Sequence, residues 1–347
     1  MSRILELSRD GQLMSRIVMG GWEHDLHPLL PWGHRVIVIT DRSISTRYRR
    51  LINQYEHILI GKGERIKTLE TVAQVHRELI KRGADRQTFL LGIGGGIVTD
   101  ITGFVASTFM RGVRFGFVST TLLGQVDASV GGKNGVNLDG YKNMIGCFNQ
   151  PEFVLCDIGM LRTLTTRQFR AGMAELIKTG LIGNRVLFEM VEALRFEELQ
   201  RDPLLMADLV LMAVKIKAEI VERDERESGE RRKLNLGHTV AHAIEKCSRV
   251  MLHGEAVAVG CVVMARLSAQ MGLLPQREAE RIEALFVRMG FDLNMPVEMD
   301  RIMAALRKDK KSAGDQIRIV LPTAIGRCEV RSVMFDWLDE QLRKVIE

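Results

Sequence analysis

The first 160 or so residues alternate short apolar runs with helix-like stretches. RVIVIT (35–40), HILI (57–60), FLLGI (89–93), RFGFV (114–118) and FVLCD (153–157) are rich in β-branched or aromatic residues and bounded by Gly, Asp or Ser, which are the marks of buried strands. Helical patterns lie between several of them, such as TLETVAQVHRELIKRG (68–83), which closes on a glycine. Strand–helix alternation of this kind predicts an α/β domain with a mostly parallel sheet. Beyond residue 160 the apolar period becomes helical, over 166–182, 186–198, 204–223, 239–248, 254–271 and 276–289. A hairpin formed by IRIVLP and GRCEV follows near 317–330. The pattern divides the chain into an α/β domain over 1–162 and an α-helical domain over 163–347. No internal repeat or low-complexity segment interrupts it.

A length of 347 residues suits two cores rather than one, and 46% apolar with 27% charged residues is an ordinary globular balance. The longest apolar run, around Ala256 to Met264, is about half the roughly 18 residues that a membrane helix needs. The start, MSRILELSRDGQ, lacks the parts of a signal peptide. A soluble cytoplasmic protein is expected. Cys147, Cys156, Cys247, Cys261 and Cys328 are odd in number and never spaced as CxxC, which fits reduced thiols. The net charge of +6 permits anionic ligands. Basic residues are spread along the chain and aromatics are only 5%, so the basic stripe and stacking residues of a nucleic-acid binder are missing.

Four segments concentrate chemistry. In LLGIGGGIVTD (90–100) a strand runs into Gly94, Gly95 and Gly96, ahead of Asp100. The glycines suit close approach to a phosphate at a helix N-terminus, or simply a tight strand–helix turn, and the pattern is not GxGxxG. The stretch 110–137, with Arg111, Asp127, Lys133 and Asn134, and GYKNMIG (140–146), with Lys142 and Asn143, mix small and charged residues. They read as a loop folded over a polar ligand, with Lys133 and Lys142 each able to hold a phosphate. In RAGMAELIKTGLI (170–182), Glu175 and Lys178 share one face of an apolar helix, as an ion pair or as site residues. In LNLGHTVAHAIEK (234–246), His238 and His242 stand four apart, and His253 opens a later helix. Two imidazoles and a carboxylate make a good zinc set with one position open, but HxxxH alone also describes ordinary helix histidines.

Together the strings GGGIVTDITGF, FMRGVRF, STTLLGQVDASVGGKNGVN, KNMIG, RAGMAELIKTGLI, KAEIVERDERESGERRKLNLGHTVAHAIE, LHGEAVAVG and DKK resemble the 3-dehydroquinate synthases of the sugar-phosphate cyclase family. They occur in family order from about residue 36 to residue 326. The resemblance implies an N-terminal Rossmann-like NAD-binding domain and an all-α C-terminal domain, with NAD and a divalent metal, zinc or cobalt, in the cleft between them. It implies Glu175, His238 and His253 as metal ligands and His242 as a substrate and proton-transfer residue. Asp41, Glu64, Lys67, Gly95, Gly96, Asp100, Thr120, Thr121 and Lys142 match NAD contacts. Arg111, Asp127, Lys133, Lys142, Asn143, Lys178, Lys217, Arg231, Asn235 and one of the Lys310–Lys311 pair, Lys310 being taken here, match substrate contacts. The family arginine at Arg111 reaches the partner subunit's site, which implies a homodimer.

The implied reaction is a carbon–oxygen lyase step of the shikimate pathway to chorismate and the aromatic amino acids. It converts 3-deoxy-D-arabino-heptulosonate 7-phosphate to 3-dehydroquinate and phosphate through transient oxidation by NAD, β-elimination, re-reduction and aldol closure. Three positions depart from the family pattern: Ser119 for Pro, Asn134 for Thr and Ala241 for Gly. The alternatives are a sister cyclase of inosose or valiolone type, an NAD- and metal-dependent polyol dehydrogenase, and a non-catalytic anion or nucleic-acid binder.

Overall fold

The computed structural model describes residues 2–248, 250–309 and 315–346. The chain forms two compact units, Met1–Leu164 and Thr165–Glu347. In the first, strands β1 (Arg3–Arg9), β2 (Gln12–Met19), β3 (Val36–Asp41), β4 (Glu56–Ile60), β5 (Phe89–Gly94) and β6 (Phe115–Ser119) precede a hairpin of β7 (Lys133–Leu138) and β8 (Tyr141–Phe148), and β9 (Phe153–Cys156) comes last. Seven of these strands make one sheet, in the order β1-β2-β9-β6-β5-β3-β4. β1 pairs antiparallel with β2, and every other neighbour is parallel. The central strands are buried on both faces, which is why they read as continuous apolar runs. Val38, Leu91, Ile93, Val118 and Leu155 form the middle of that core, and the Phe89 and Phe153 rings stack 6.0 Å apart.

Two hairpins depart from the expected pattern. Each turns on an Asp-Gly pair with positive φ at both residues, 51° and 77° at Asp10-Gly11 and 49° and 81° at Asp139-Gly140. This is the turn that suits the twist of a two-residue hairpin loop. The last part of the segment read as a ligand loop, from Lys133 onward, is therefore the β7–β8 ribbon. Gly132, Gly135, Gly140 and Gly146 dilute its strand signal, and exposed Leu138, Tyr141, Met144 and Phe148 break its alternation.

The second unit is helical: Thr166–Gly183, Arg185–Glu192, Phe196–Arg201, Pro203–Arg223, His238–Cys247, His253–Gln270, Gln276–Arg288, Met299–Asp309 and Phe335–Ile346. The expected 186–198 helix breaks in two, with Arg195 at the start of the second piece. Met299–Asp309 and Phe335–Ile346 were not anticipated. The unit is not purely helical, because β10 (Gln316–Ala324) and β11 (Arg327–Met334) form the expected hairpin. No described helix is long and apolar enough to cross a membrane.

Candidate active site

Parallel pairing puts the carboxyl ends of β3 to β6 on one edge of the sheet. Asp41 stands opposite Ile60, Thr40 opposite Ile93, and Gly94 opposite Ser119. The chain leaves β3 toward β4 but leaves β5 toward β6, so a topological switch point, the usual place for a nucleotide in such sheets, lies between β3 and β5. Gly95 caps the helix Gly96–Thr108 without any side-chain acceptor for the first-turn N–H groups. Those donors and the helix dipole favour an anion. A Cβ on Gly95 would press on Thr121, and one on Gly96 on Ala128. Asp41 has a local duty as well: its carboxylate caps the helix Arg42–Arg47, accepting from the N–H groups of Ser43 (2.7 Å) and Ile44 (3.0 Å).

Around this edge runs a polar network. Buried Lys67 pairs with Asp100 and donates to Asn143 Oδ1. Asn137 donates from its backbone to Lys67 O (2.8 Å) and from its side chain to Glu64 (2.8 Å), and it accepts from the Asn143 N–H (2.9 Å). Glu64, Lys67, Asp100 and Asn143 are thus brought together, with Asn137 as a link that the sequence reading missed. Burial pushes the Asp100 carboxyl above its usual range despite the attraction of Lys67. Asn143 is held at φ 52°, in the left-handed region that asparagine tolerates better than most side chains.

Lys133 and Lys142 do not converge. Lys133 pairs with Phe148 at the base of the ribbon, and Lys142 follows the turn at the tip, six residues away on that strand. At about 3.3 Å per residue they lie roughly 20 Å apart, so they suit two anions rather than one. Asp127 belongs to a single π-helical turn, Gly124–Ala128, a distortion frequent at functional sites. Thr120 is buried just after the end of β6. Exposed Arg111 follows Met110 and precedes Gly112, all three at positive φ. The unusual residues find partners. Ser119 accepts from Ser129 Oγ (3.1 Å), and Asn134 turns inward to donate to Gly132 O (3.0 Å) and Asn149 O (2.8 Å). Ala241 is fully buried in its helix.

In the second unit, glycine lets three helices approach closely. A Cβ on Gly254 would collide with Ala171 O, and one on Gly260 with the backbone of Gly237, itself at φ 77°. The approach gathers Glu175, His238 and His253, whose ligand atoms all lie within 4.8 Å of one another. Glu175 Oε1 is 3.2 Å from His253 Nε2 and 3.7 Å from His238 Nε2. Each imidazole uses its other nitrogen elsewhere: His238 Nδ1 faces Leu236 O at 3.2 Å, and His253 Nδ1 faces Glu245 Oε1 at 3.2 Å. Those contacts leave both Nε2 atoms directed at the carboxylate, as a three-ligand zinc site with an open position requires. His242 lies edge-on to His238, with ring centres 5.3 Å apart, outside the ligand triad.

Lys178 completes the pair expected on its helix, lying 2.6 Å from Glu175 Oε2 and donating to Leu234 O at 2.7 Å, with both residues buried. Burial, aided by the charge of Lys178, lowers His238 to about 3 and keeps it neutral. Burial also opposes protonation of His253, but hydrogen bonds to Glu175 and Glu245 outweigh it and hold the ring at about 10.

Lys217, on the helix Pro203–Arg223, and Arg231 are buried. Arg231 Nη1 donates to Glu225 O, and Asn235 Nδ2 donates to Glu227. Lys310 and Lys311 lie outside the described residues. Glu245 was missed although it was detectable, since it stands seven residues after His238 and so on the same helical face.

The family model described as 3-dehydroquinate synthase N-terminal matches residues 57–171, and the one described as 3-dehydroquinate synthase C-terminal matches residues 172–312. The 3-dehydroquinate synthase of Synechococcus sp. is 41% identical over 312 residues, which cover 86% of this chain and 85% of that one. Among solved structures, a 2-deoxy-scyllo-inosose synthase complexed with carbaglucose-6-phosphate, NAD+ and Co2+ matches with a TM-score of 0.88 and 25% identity, over 99% of this chain and 100% of the other. A 2-epi-5-epi-valiolone synthase from Streptomyces hygroscopicus subsp. jinggangensis, with NAD+ and Zn2+ bound, matches with a TM-score of 0.86 and 26% identity, over 99% and 98%. The sister cyclases share the architecture, but 41% identity along nearly the whole length lies with the dehydroquinate enzymes, and the chain belongs to the 3-dehydroquinate synthase family.

Proposed function

We infer that this chain converts 3-deoxy-D-arabino-heptulosonate 7-phosphate to 3-dehydroquinate and inorganic phosphate, using NAD as a recycled oxidant and one divalent metal. The observation that carries the reading is the triad of Glu175, His238 and His253 beside the buried cation Lys178, in a chain 41% identical to a 3-dehydroquinate synthase. Glu175 Oε1 and the two Nε2 atoms would hold zinc or cobalt. The switch-point edge, with Asp41, Glu64, Lys67, Gly95, Gly96, Asp100, Thr120, Thr121 and Lys142, would hold NAD. When bound, the metal polarises the substrate hydroxyl and the ketone it becomes, while NAD takes up and returns a hydride.

The chain's own residues do the rest. Lys133 and Arg111 offer donors to the substrate phosphate, while Lys142 and Asn143 serve at the ribbon's tip. Lys217, Arg231 and Asn235 suit a carboxylate and its neighbouring hydroxyl. This is the distinction from the sister cyclases, whose phosphorylated sugars bear no carboxylate. His242 and Asp127 hold or pass protons in this reading, and Lys178 keeps positive charge beside the metal carboxylate. Fixing one flexible substrate in a single pose supplies much of the acceleration.

The enzyme acts as a homodimer in which Arg111, exposed on its strained turn, reaches the second site. It works in the cytoplasm, where its five free cysteines stay reduced. The test is phosphate release from the heptulosonate phosphate with catalytic NAD, with and without a chelator. Release that needs both NAD and metal, with no net NADH, is the expected result. No release from metal-loaded, NAD-bound protein would overturn the reading and move the search to other sugar phosphates.

A further inference from the structure

We propose that Asp224 is a positioning residue for the segment that carries Arg231 and Asn235, and that it sets affinity for the sugar-phosphate substrate without touching it. The helix Pro203–Arg223 ends at Asp224, which is buried. Its carboxylate gathers the following segment. Oδ1 accepts from Ser228 N (2.8 Å) and Ser228 Oγ (2.9 Å), while Oδ2 accepts from Gly229 N (2.7 Å) and Arg231 N (2.9 Å). The segment loops back on itself through Glu227, held at φ 59°, and enters the 3-10 helix Glu230–Asn235. The Arg231 backbone is thus tied to Asp224, and its guanidinium is tied to Glu225 O inside the same loop. Asn235 is tied to Glu227. Both candidate substrate residues are therefore fixed by a loop whose centre is one carboxylate.

Four donors on two oxygens need a carboxylate. An amide of the same shape keeps one oxygen, and its NH2 would face N–H groups that require an acceptor. The four bonds, which hold this carboxyl at about 2 in spite of burial, are consistent with that demand. The proposal rests on the substrate reading above, because it assigns Asp224 a share in binding through Arg231.

The experiment uses the NAD- and zinc-loaded enzyme and compares the wild type with Asp224→Asn, Ser228→Ala, Arg231→Ala and the Asp224→Asn/Arg231→Ala double variant. KM for the heptulosonate phosphate, the NAD dissociation constant and the zinc content are measured for each. Asp224→Asn is expected to raise KM tenfold or more while NAD affinity and zinc content hold. Ser228→Ala, which removes one bond of the four, should raise KM less. Because Asp224 acts in part through Arg231, the double variant should raise KM by less than the product of the two single effects. A KM within twofold of wild type in Asp224→Asn, or effects that multiply in the double variant, would overturn the proposal. Should Asp224→Asn not fold, Ser228→Ala decides, and an unchanged KM there overturns it equally. An inactive wild type removes the substrate reading and this proposal with it. An active wild type with an unaltered Asp224→Asn removes this proposal alone.

Discussion

Glu175 and Lys178 give the sharpest energetic test of the metal site, because their pairing exists in the chain without any metal. Both residues are buried and 2.6 Å apart. Breaking a buried pair on one side costs about 3–5 kcal/mol, because a charge is left without its partner in a dry environment. In Glu175→Gln that charge is chiefly the Lys178 ammonium, since the His253 imidazolium keeps Glu245 as a partner at 3.2 Å. The cost has a ceiling, since the lysine can lose its proton instead. For an ordinary lysine pKa of about 10.4, deprotonation costs about 4.6 kcal/mol at pH 7 and about 1.9 kcal/mol at pH 9. The predicted penalty of the metal-free Glu175→Gln protein is therefore about 3–4.6 kcal/mol at pH 7 and under about 2 kcal/mol at pH 9. For a unit of this size each kcal/mol moves Tm by about 2–4 °C, so the neutral-pH loss is roughly 6–18 °C. Replacing both members, Glu175→Gln with Lys178→Met, removes the stranded charge and should recover most of the loss, as exchanges of buried pairs for apolar groups often do. Urea unfolding in excess chelator at the two pH values measures all three variants. A Glu175→Gln loss below about 1 kcal/mol at pH 7, or a double variant as unstable as the single, would refute the claim that this pair is dry and mutually dependent.

Glu245 fixes the tautomer of His253 by facing its Nδ1 at 3.2 Å, so Glu245→Gln should weaken zinc about 10–100-fold in competition with a chromogenic chelator while the fold is retained; unchanged affinity would remove it from the metal's support. In the metal-free protein His253 titrates near 10 and His238 near 3, so zinc has one proton to displace, that of His253. Zinc affinity should therefore rise about tenfold per pH unit from roughly 6.5 toward 10, and a flat profile would count against that protonated imidazole. The sign for stability is opposite: a raised imidazole pKa stabilises the metal-free fold fully below about 6.5, and this contribution is lost as pH climbs through 10, which urea midpoints of wild type and His253→Ala would compare. If Arg111 completes the second subunit's site, mixing inactive Arg111→Ala with inactive Lys133→Ala should restore up to about a quarter of wild-type activity through hybrid dimers, and no rescue after proven subunit exchange would mean that each site is built from one chain.

What could be read from the sequence depends on whether side chains or backbone carry the structure. β3, β5, β6 and β9 were legible because burial on both faces makes each a plain apolar run. β7 and β8 were not, because glycines and outward-facing Tyr141, Met144 and Phe148 erase their alternation, although Asp139-Gly140 announces the turn. The same contrast divides the active site. Glu175, Lys178, His238 and His253 are visible as residue types, and a family resemblance was needed only to say which histidine faces the metal. In the fold that choice is made by two acceptors, Leu236 O and Glu245, which occupy the Nδ1 atoms of His238 and His253. A carbonyl has no letter in a sequence, so half of that decision was unreadable. Asp224 is the extreme case: its partners are the backbone N–H groups of Ser228, Gly229 and Arg231 and a single hydroxyl. A backbone N–H has no letter in a sequence either, so the acceptor role of Asp224 could not be read from the residues around it. That makes a substitution at 225, which keeps the backbone carbonyl that Arg231 uses, far milder than loss of the one carboxylate at the loop's centre.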